Sequence, residues 1–335
     1  MRRLPSLLIA TTEQERRDFL PEPLCSELRA LSDRCEFVEG LSALSLEDFH
    51  GTLFRVNPEV LITCWKTPTL PAQLPSNLRY VCHLTGSIRK LIPREQLGDG
   101  LLVSNWGGSI SRIVAEGALY HVLSCLRRAT FWTLAMHREN GWKQAETETA
   151  SLFGRRVGLH GFGQIARELT RLLQPFGCEI IAFAPDLDAT VSARYNVRAA
   201  VTLEALFAES EIVVELAPLI PETVGVVTEK LLRSIKPGGV FVNVGRGAVV
   251  DEAALLRVAR EGALNIGLDV FAVEPLPVDS GFRGLPNVTL TPHLAGPTTD
   301  RRRDAGEFAV ANIRAYTQGQ PIDARITQEN YDLRT

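Results

Sequence analysis

Three segments in the last third of the chain each carry one residue able to do chemistry: Arg246 in "NVGRGAVVDEAAL", Glu274 in "GLDVFAVEPLP" and His293 in "LTPHLAG". A histidine titrates near neutrality, so it can give or take a proton during a reaction. A glutamate beside it would favour the imidazolium. An arginine offers a planar fork of donors, suited to gripping a carboxylate and polarising a carbonyl. Such a set meets the needs of a 2-keto acid undergoing reduction: a hydride on C2, a proton on the developing alkoxide and a clamp on the carboxylate. Singly, each residue has a plain alternative. Arg246 also reads as a surface arginine, Glu274 before Pro275 as a turn residue, and His293 as part of a strand-ending turn.

A hydride needs a donor, and "GFGQIA" (161–166) fits the dinucleotide pattern G-x-G-x-x-[GA]. Gly161 permits a tight turn, and Gly163 lets the backbone approach a pyrophosphate. Ala166 is small enough for close helix–strand contact. Phe162, Gln164 and Ile165 complete the loop, whose free N–H groups would face the anion, aided by the helix dipole. The acid expected to bind the adenosine ribose is missing, because Ala184 stands in its place. Asp186, two positions on, is the substitute candidate; a solvated turn residue is the other reading. No arginine follows at once to meet a 2′-phosphate, the nearest being Arg194 and Arg198. NAD is therefore favoured, with NADP left open.

These residues need parallel strands to position them. From Val157 onward, strand candidates "RVGLHG", "EIIAFA", "EIVVEL", "GVFVNV", "NIGLDV" and "NVTL" alternate with helical stretches. That pattern predicts a doubly wound sheet of six strands. "QIARELTRLLQPFG" reads as a helix ended by Gly177, and Thr202, Thr228 and Asp251 stand at expected N-caps. Four more strand candidates, "SLLIAT", "CEFVEG", "VLITCW" and "LRYVCHL", lie in the first hundred residues, with a helix at Leu24–Leu31 among those between them. The glycine-rich run "GDGLLVSNWGGS" reads as a crossing between domains. One long helix is expected from Ile110 to about His137, buried on more than one side.

The 335 residues suffice for two domains. Lys plus Arg number 36 against 39 Asp plus Glu, and the net charge of -3 gives no reason to expect a nucleic-acid or membrane partner. The run Arg301–Arg303 reads as a solvated helix face. The six cysteines have no C-x-x-C pair and no histidine at metal-ligand spacing, so thiols in a reducing, cytoplasmic compartment are expected, with no metal. The apolar run near the N-terminus is too short for a signal peptide, and no segment is long enough to span a bilayer.

Taken in order, the segments around Arg246, Glu274 and His293 resemble the D-isomer-specific 2-hydroxyacid dehydrogenases, whose pattern puts an arginine in N-x-x-R-G-x-x-V-D, a glutamate in D-V-F-x-x-E-P and a histidine in T-P-H. "SRIVAE" (111–116) and "APLIPET" (217–223) look like further family segments, and the resemblance runs from about Leu78 to Tyr316. It implies two α/β domains, a Rossmann cofactor domain at 105–295 inserted into a flavodoxin-like substrate domain made of 1–104 and 296–335. It also implies catalytic roles for Arg246, Glu274 and His293, and cofactor contacts from Ala217, Pro218, Val244, Gly245 and Asp269, the last at the nicotinamide carboxamide. Thr85, Gly86 and Ser87 in "HLTGSIR" would bind the substrate carboxylate, although the family's usual two glycines there are reduced to one. Trp65 or Lys66, in "CWKTP", could face the substrate. His160 replaces a usual aliphatic residue and reads as a core or edge histidine. Family members are commonly dimers. The same fold also serves NAD(H)-binding regulatory, corepressor-like proteins, which is the competing reading.

Overall fold

Short strands buried on both faces build the fold, as expected where helices cover each side of a parallel sheet. A computed structural model describes residues 2–98, 100–145 and 147–333. The chain divides into two compact units, Met1–Ile110 with Thr298–Thr335, and Ser111–Pro297.

The first unit holds a five-stranded parallel sheet of β1 (Leu7–Ala10), β2 (Cys35–Phe37), β3 (Val60–Thr63), β4 (Tyr80–His83) and β5 (Leu102–Ser104). Their order is β2-β1-β3-β4-β5, the flavodoxin-like arrangement. Every residue of β1, β3 and β4 is buried. The core includes Leu8, Phe49, Leu53, Leu61, Val81 and Val103. The fifth strand, β5, lies inside the glycine-rich run that reads as a domain crossing, a correction to the four strands expected.

The second unit holds a seven-stranded parallel sheet: β6 (Arg156–His160), β7 (Glu179–Phe183), β8 (Arg198–Ala199), β9 (Ile212–Glu215), β10 (Val240–Asn243), β11 (Asn265–Leu268) and β12 (Val288–Leu290). The order β12-β11-β10-β9-β6-β7-β8 is doubly wound, reversing direction between β6 and β9. The strand added to the expected six is β8, an exposed two-residue edge. Phe207, Val213, Phe241, Ile266 and Val288 belong to its core.

Helix boundaries differ from expectation in two places. The predicted Ile110–His137 helix is two helices, Ser111–Leu126 and Ala129–Arg138, parted at Arg128, whose φ of 52° is left-handed. The helix after the phosphate loop runs Gln164–Leu173 and tightens into a 3-10 turn, Gln174–Phe176, before Gly177 at φ 64°. Thr202 and Asp251 cap their helices through side-chain bonds to Ala205 N and Ala254 N, whereas Thr228 stands at an N-cap without one.

Candidate active site

The C-terminal edge of the seven-stranded sheet gathers the chemistry-bearing loops of the second unit. Parallel strands all end on that edge, and ligands of open α/β sheets bind outside it at the point where strand order reverses. The loop after β6 sits at that point. Gly161 has φ 91°, and a Cβ there would lie 2.8 Å from the backbone of Leu216 and Ala217, so only glycine lets these two segments touch. A Cβ on Gly163, by contrast, would project into open space ahead of the helix N-terminus. That space is a cradle for an anion, and the residues present fit a dinucleotide pyrophosphate. Ala166 is buried beneath the helix. Phe162 is also buried, edge-on to Tyr195, so its contribution to a ligand would come from its backbone. Gln164 and Ile165 form the first turn of the helix. Asp186 lies exposed in the turn after β7.

A buried polar side chain near each neighbouring strand end ties down the loop that follows. Glu215, at the end of β9 and fully buried, accepts the Ala217 N–H at 2.7 Å and lies 2.5 Å from Nδ1 of His160. His160 is thus a core histidine with a carboxylate partner, placed between the phosphate loop and the loop of Ala217 and Pro218. Asn243, ending β10, accepts from Gly245 N and donates to the Arg246 carbonyl. It thereby shapes the turn of Val244, Gly245 and Arg246. Asp269, just past β11, is 1% exposed; its oxygens accept from Leu294 N, Ala295 N and the Thr291 hydroxyl. Its carboxylate thus anchors the turn that carries His293.

Arg246, Glu274 and His293 follow β10, β11 and β12, three adjacent strands set about 4.8 Å apart. His293 Nδ1 lies 2.8 Å from Glu274 Oε2, while Oε1 of Glu274 accepts the Phe271 N–H at 3.0 Å. One carboxylate therefore orients the imidazole and holds its own loop. His293 takes a left-handed φ of 55°, costly for a side-chain-bearing residue, and its N–H bonds to the Asp269 carbonyl at 2.9 Å. The pair is solvent-accessible, with side-chain exposures of 49% for His293 and 36% for Glu274. With Nδ1 engaged, Nε2 is the atom positioned to exchange a proton with a ligand. Arg246 is partly buried and donates to the Gly245 carbonyl. The next residue, Gly247, packs so closely that a Cβ would sit 2.0 Å from the Phe271 carbonyl carbon, locking the Arg246 loop onto the Glu274 loop.

In the first unit, the Thr85–Ser87 loop follows β4. Thr85 is buried, with its hydroxyl 2.6 Å from Nε2 of His83, so that hydroxyl serves the loop. The Gly86 carbonyl accepts from the Asn105 side-chain amide at 2.7 Å, and a Cβ at Gly86 would meet the Trp106 ring at 3.0 Å. Ser87 is exposed. Trp65 is 48% exposed and sits edge-on to Phe19 and Trp106, with the Arg302 guanidinium 5.1 Å from its ring centre. Lys66 is exposed, and its N–H is held by Glu15.

Sequence reasoning missed three polar supports: His83, His121 and Glu215. No motif marks them; they lie in apolar-looking strands and a helix, and only the register of the sheet reveals their partners. Among the described residues no helix is long and apolar enough to cross a membrane.

Comparison with known proteins adds to this geometry. The sequence model of the D-isomer specific 2-hydroxyacid dehydrogenase, NAD binding domain, matches residues 119–295. The chain is 32% identical over 222 residues to a D-3-phosphoglycerate dehydrogenase of Mycobacterium tuberculosis, covering 66% of this chain but 42% of that enzyme. It is 32% identical over 238 residues to a glyoxylate reductase of Thermococcus litoralis, covering 68% and 70% of the two chains. In structure it resembles the apo D-mandelate dehydrogenase of Rhodotorula graminis, with a TM-score of 0.82 over 96% of this chain and 97% of that one. At 22% identity that likeness speaks for the fold alone.

Proposed function

This chain belongs to the D-isomer specific 2-hydroxyacid dehydrogenase family, and we propose that it interconverts a 2-keto acid and its D-2-hydroxy acid with NAD(H), NADP(H) being the alternative cofactor. The observation that carries this reading is the His293–Glu274 hydrogen bond of 2.8 Å on the strand-end rim that also bears the phosphate loop. Gly161 to Ile165 would hold the pyrophosphate, Asp186 the adenosine ribose, and Ala217, Pro218, Val244, Gly245 and Asp269 would line the rest of the cofactor. A nicotinamide held there would supply or take the hydride at C2. In the reducing direction His293 Nε2 passes a proton to the carbonyl oxygen as C2 becomes tetrahedral, and Glu274 stabilises the imidazolium from the other side. In the oxidising direction His293 takes that proton back. Arg246 would grip the carboxylate and polarise the carbonyl. In the first unit, Gly86 and Ser87 would offer backbone N–H groups to the carboxylate next to Thr85, and Trp65 would meet the substrate's side chain. On this reading residues 1–104 and 296–335 serve the substrate and 105–295 the cofactor.

We further propose a cytoplasmic homodimer. Six free cysteines fit a reducing compartment. Tyr120, Met136 and Trp142, each more than half exposed on or just after the helices that begin the second unit, give a second copy apolar surface to cover.

The test is a panel of glyoxylate, hydroxypyruvate and bulkier 2-keto acids, run with NADH and with NADPH. Oxidation of the reduced cofactor by at least one acid is expected. Tight NADH binding with no turnover on any acid would move the regulatory reading ahead.

A further inference from the structure

His121 is a buried histidine that the mechanism above does not use. It lies on the helix Ser111–Leu126 and is 1% exposed. Gly267 of β11 makes room for it, since a Cβ there would sit 2.9 Å from its Nδ1. Its Nε2 is 2.8 Å from the Thr291 hydroxyl. That hydroxyl has one hydrogen, and it goes to Asp269 Oδ1 at 2.6 Å. Thr291 must therefore accept from His121, which fixes the proton on Nε2 and leaves Nδ1 bare. Nδ1 is indeed buried with no hydrogen-bond partner among the described residues. Burial pushes the imidazole below its ordinary pKa, against the pull of Asp269, so the ring is held neutral. The donors then run one way, from His121 to Thr291 to Asp269, and Asp269 in turn accepts from Leu294 N and Ala295 N. These bonds bracket His293, which is held at a costly left-handed φ.

We propose that His121 is a positioning residue for His293, acting through the chain His121–Thr291–Asp269 to hold the 291–295 turn in its strained form. This rests on the reading of His293 as the proton carrier. A turn with one exposed face and a disfavoured backbone angle relaxes unless its surroundings over-determine it. A neutral histidine suits the task because it leaves Asp269 as the only ion in the chain, with its charge spread over several donors.

The test compares wild type with His121→Leu, His121→Gln and Thr291→Val, reading steady-state turnover and amide hydrogen exchange at Leu294 and Ala295. His121→Leu is expected to lower kcat about tenfold, the scale of one lost buried hydrogen bond. KM and cofactor affinity should hold within about twofold, and the two amides should exchange about tenfold faster. His121→Gln, which keeps a donor at the ε position, should restore both readings. Thr291→Val breaks the same chain and carries the same expectation if the leucine variant does not fold. The double variant His121→Leu with Thr291→Val should be no worse than Thr291→Val alone. Additive losses, or a glutamine variant as impaired as the leucine one, would overturn the proposal, as would unchanged exchange at both amides. The exchange reading does not depend on catalysis. Faster exchange in a protein that turns over no keto acid would sink the function proposed above and leave the chain standing.

Discussion

Glu274 divides its two oxygens between an imidazole and the N–H of Phe271, so its replacement has two separable effects. Glu274→Gln keeps the shape and removes the charge that favours the imidazolium. It should cost about 10- to 100-fold in kcat while the fold persists, read from steady-state rates beside the circular dichroism spectrum. A second residue-scale prediction concerns His83, clasped between the hydroxyls of Thr63 and Thr85. Burial holds its pKa down to about 4, from an ordinary 6.5. Between those values the unfolded chain binds a proton that the folded chain does not, so stability rises with pH. The contribution is fully present above pH 6.5 and is lost as the pH falls toward 4; its size is of order 3 kcal/mol. Urea midpoints measured from pH 4.5 to 7 should show this slope, and His83→Gln should flatten it. An equal slope in the variant would assign the pH dependence elsewhere.

Glycines decide how the loops are arranged at the scale of elements. Gly163→Val should weaken NADH binding more than about tenfold with little change in thermal stability, because its Cβ meets open space and not protein. Gly247→Ala should do the reverse, costing more than about 2 kcal/mol of stability and loosening Arg246, since the Phe271 carbonyl blocks any Cβ. Calorimetry with a cofactor titration separates the two. The strands of continuous apolar residues and the glycine loop were legible in the sequence, as were the segments around Arg246, Glu274 and His293, because burial on both faces and tight turns leave residue-type signatures. What escaped has physical reasons. The exposed pair Arg198–Ala199 is too short to carry a pattern, and β5 is three residues set among glycines. Arg128 breaks a helix by a left-handed turn that its residue type does not announce. The partners of His83, His121 and His160 lie 2 to 170 positions away in the chain, so only the folded register brings them together.

Across the whole molecule, the chain leaves one compact unit at Ile110 and returns to it at Thr298, so each unit has its own sheet and core while the two share a continuous backbone. Cofactor binding should therefore register as added stability. At about 100 times its dissociation constant, NADH should contribute about 2.7 kcal/mol against unfolding, seen as a raised midpoint that Gly163→Val cuts to about half or less at the same NADH concentration. The proposed activity requires His293 to move a proton during hydride transfer. The direct measurement is keto-acid-dependent NADH oxidation at 340 nm by wild type and His293→Gln, with NADH affinity determined for both. We predict a kcat lower by about 10²- to 10⁴-fold in the variant with cofactor affinity unchanged. A variant that turns over at the wild-type rate would contradict the account.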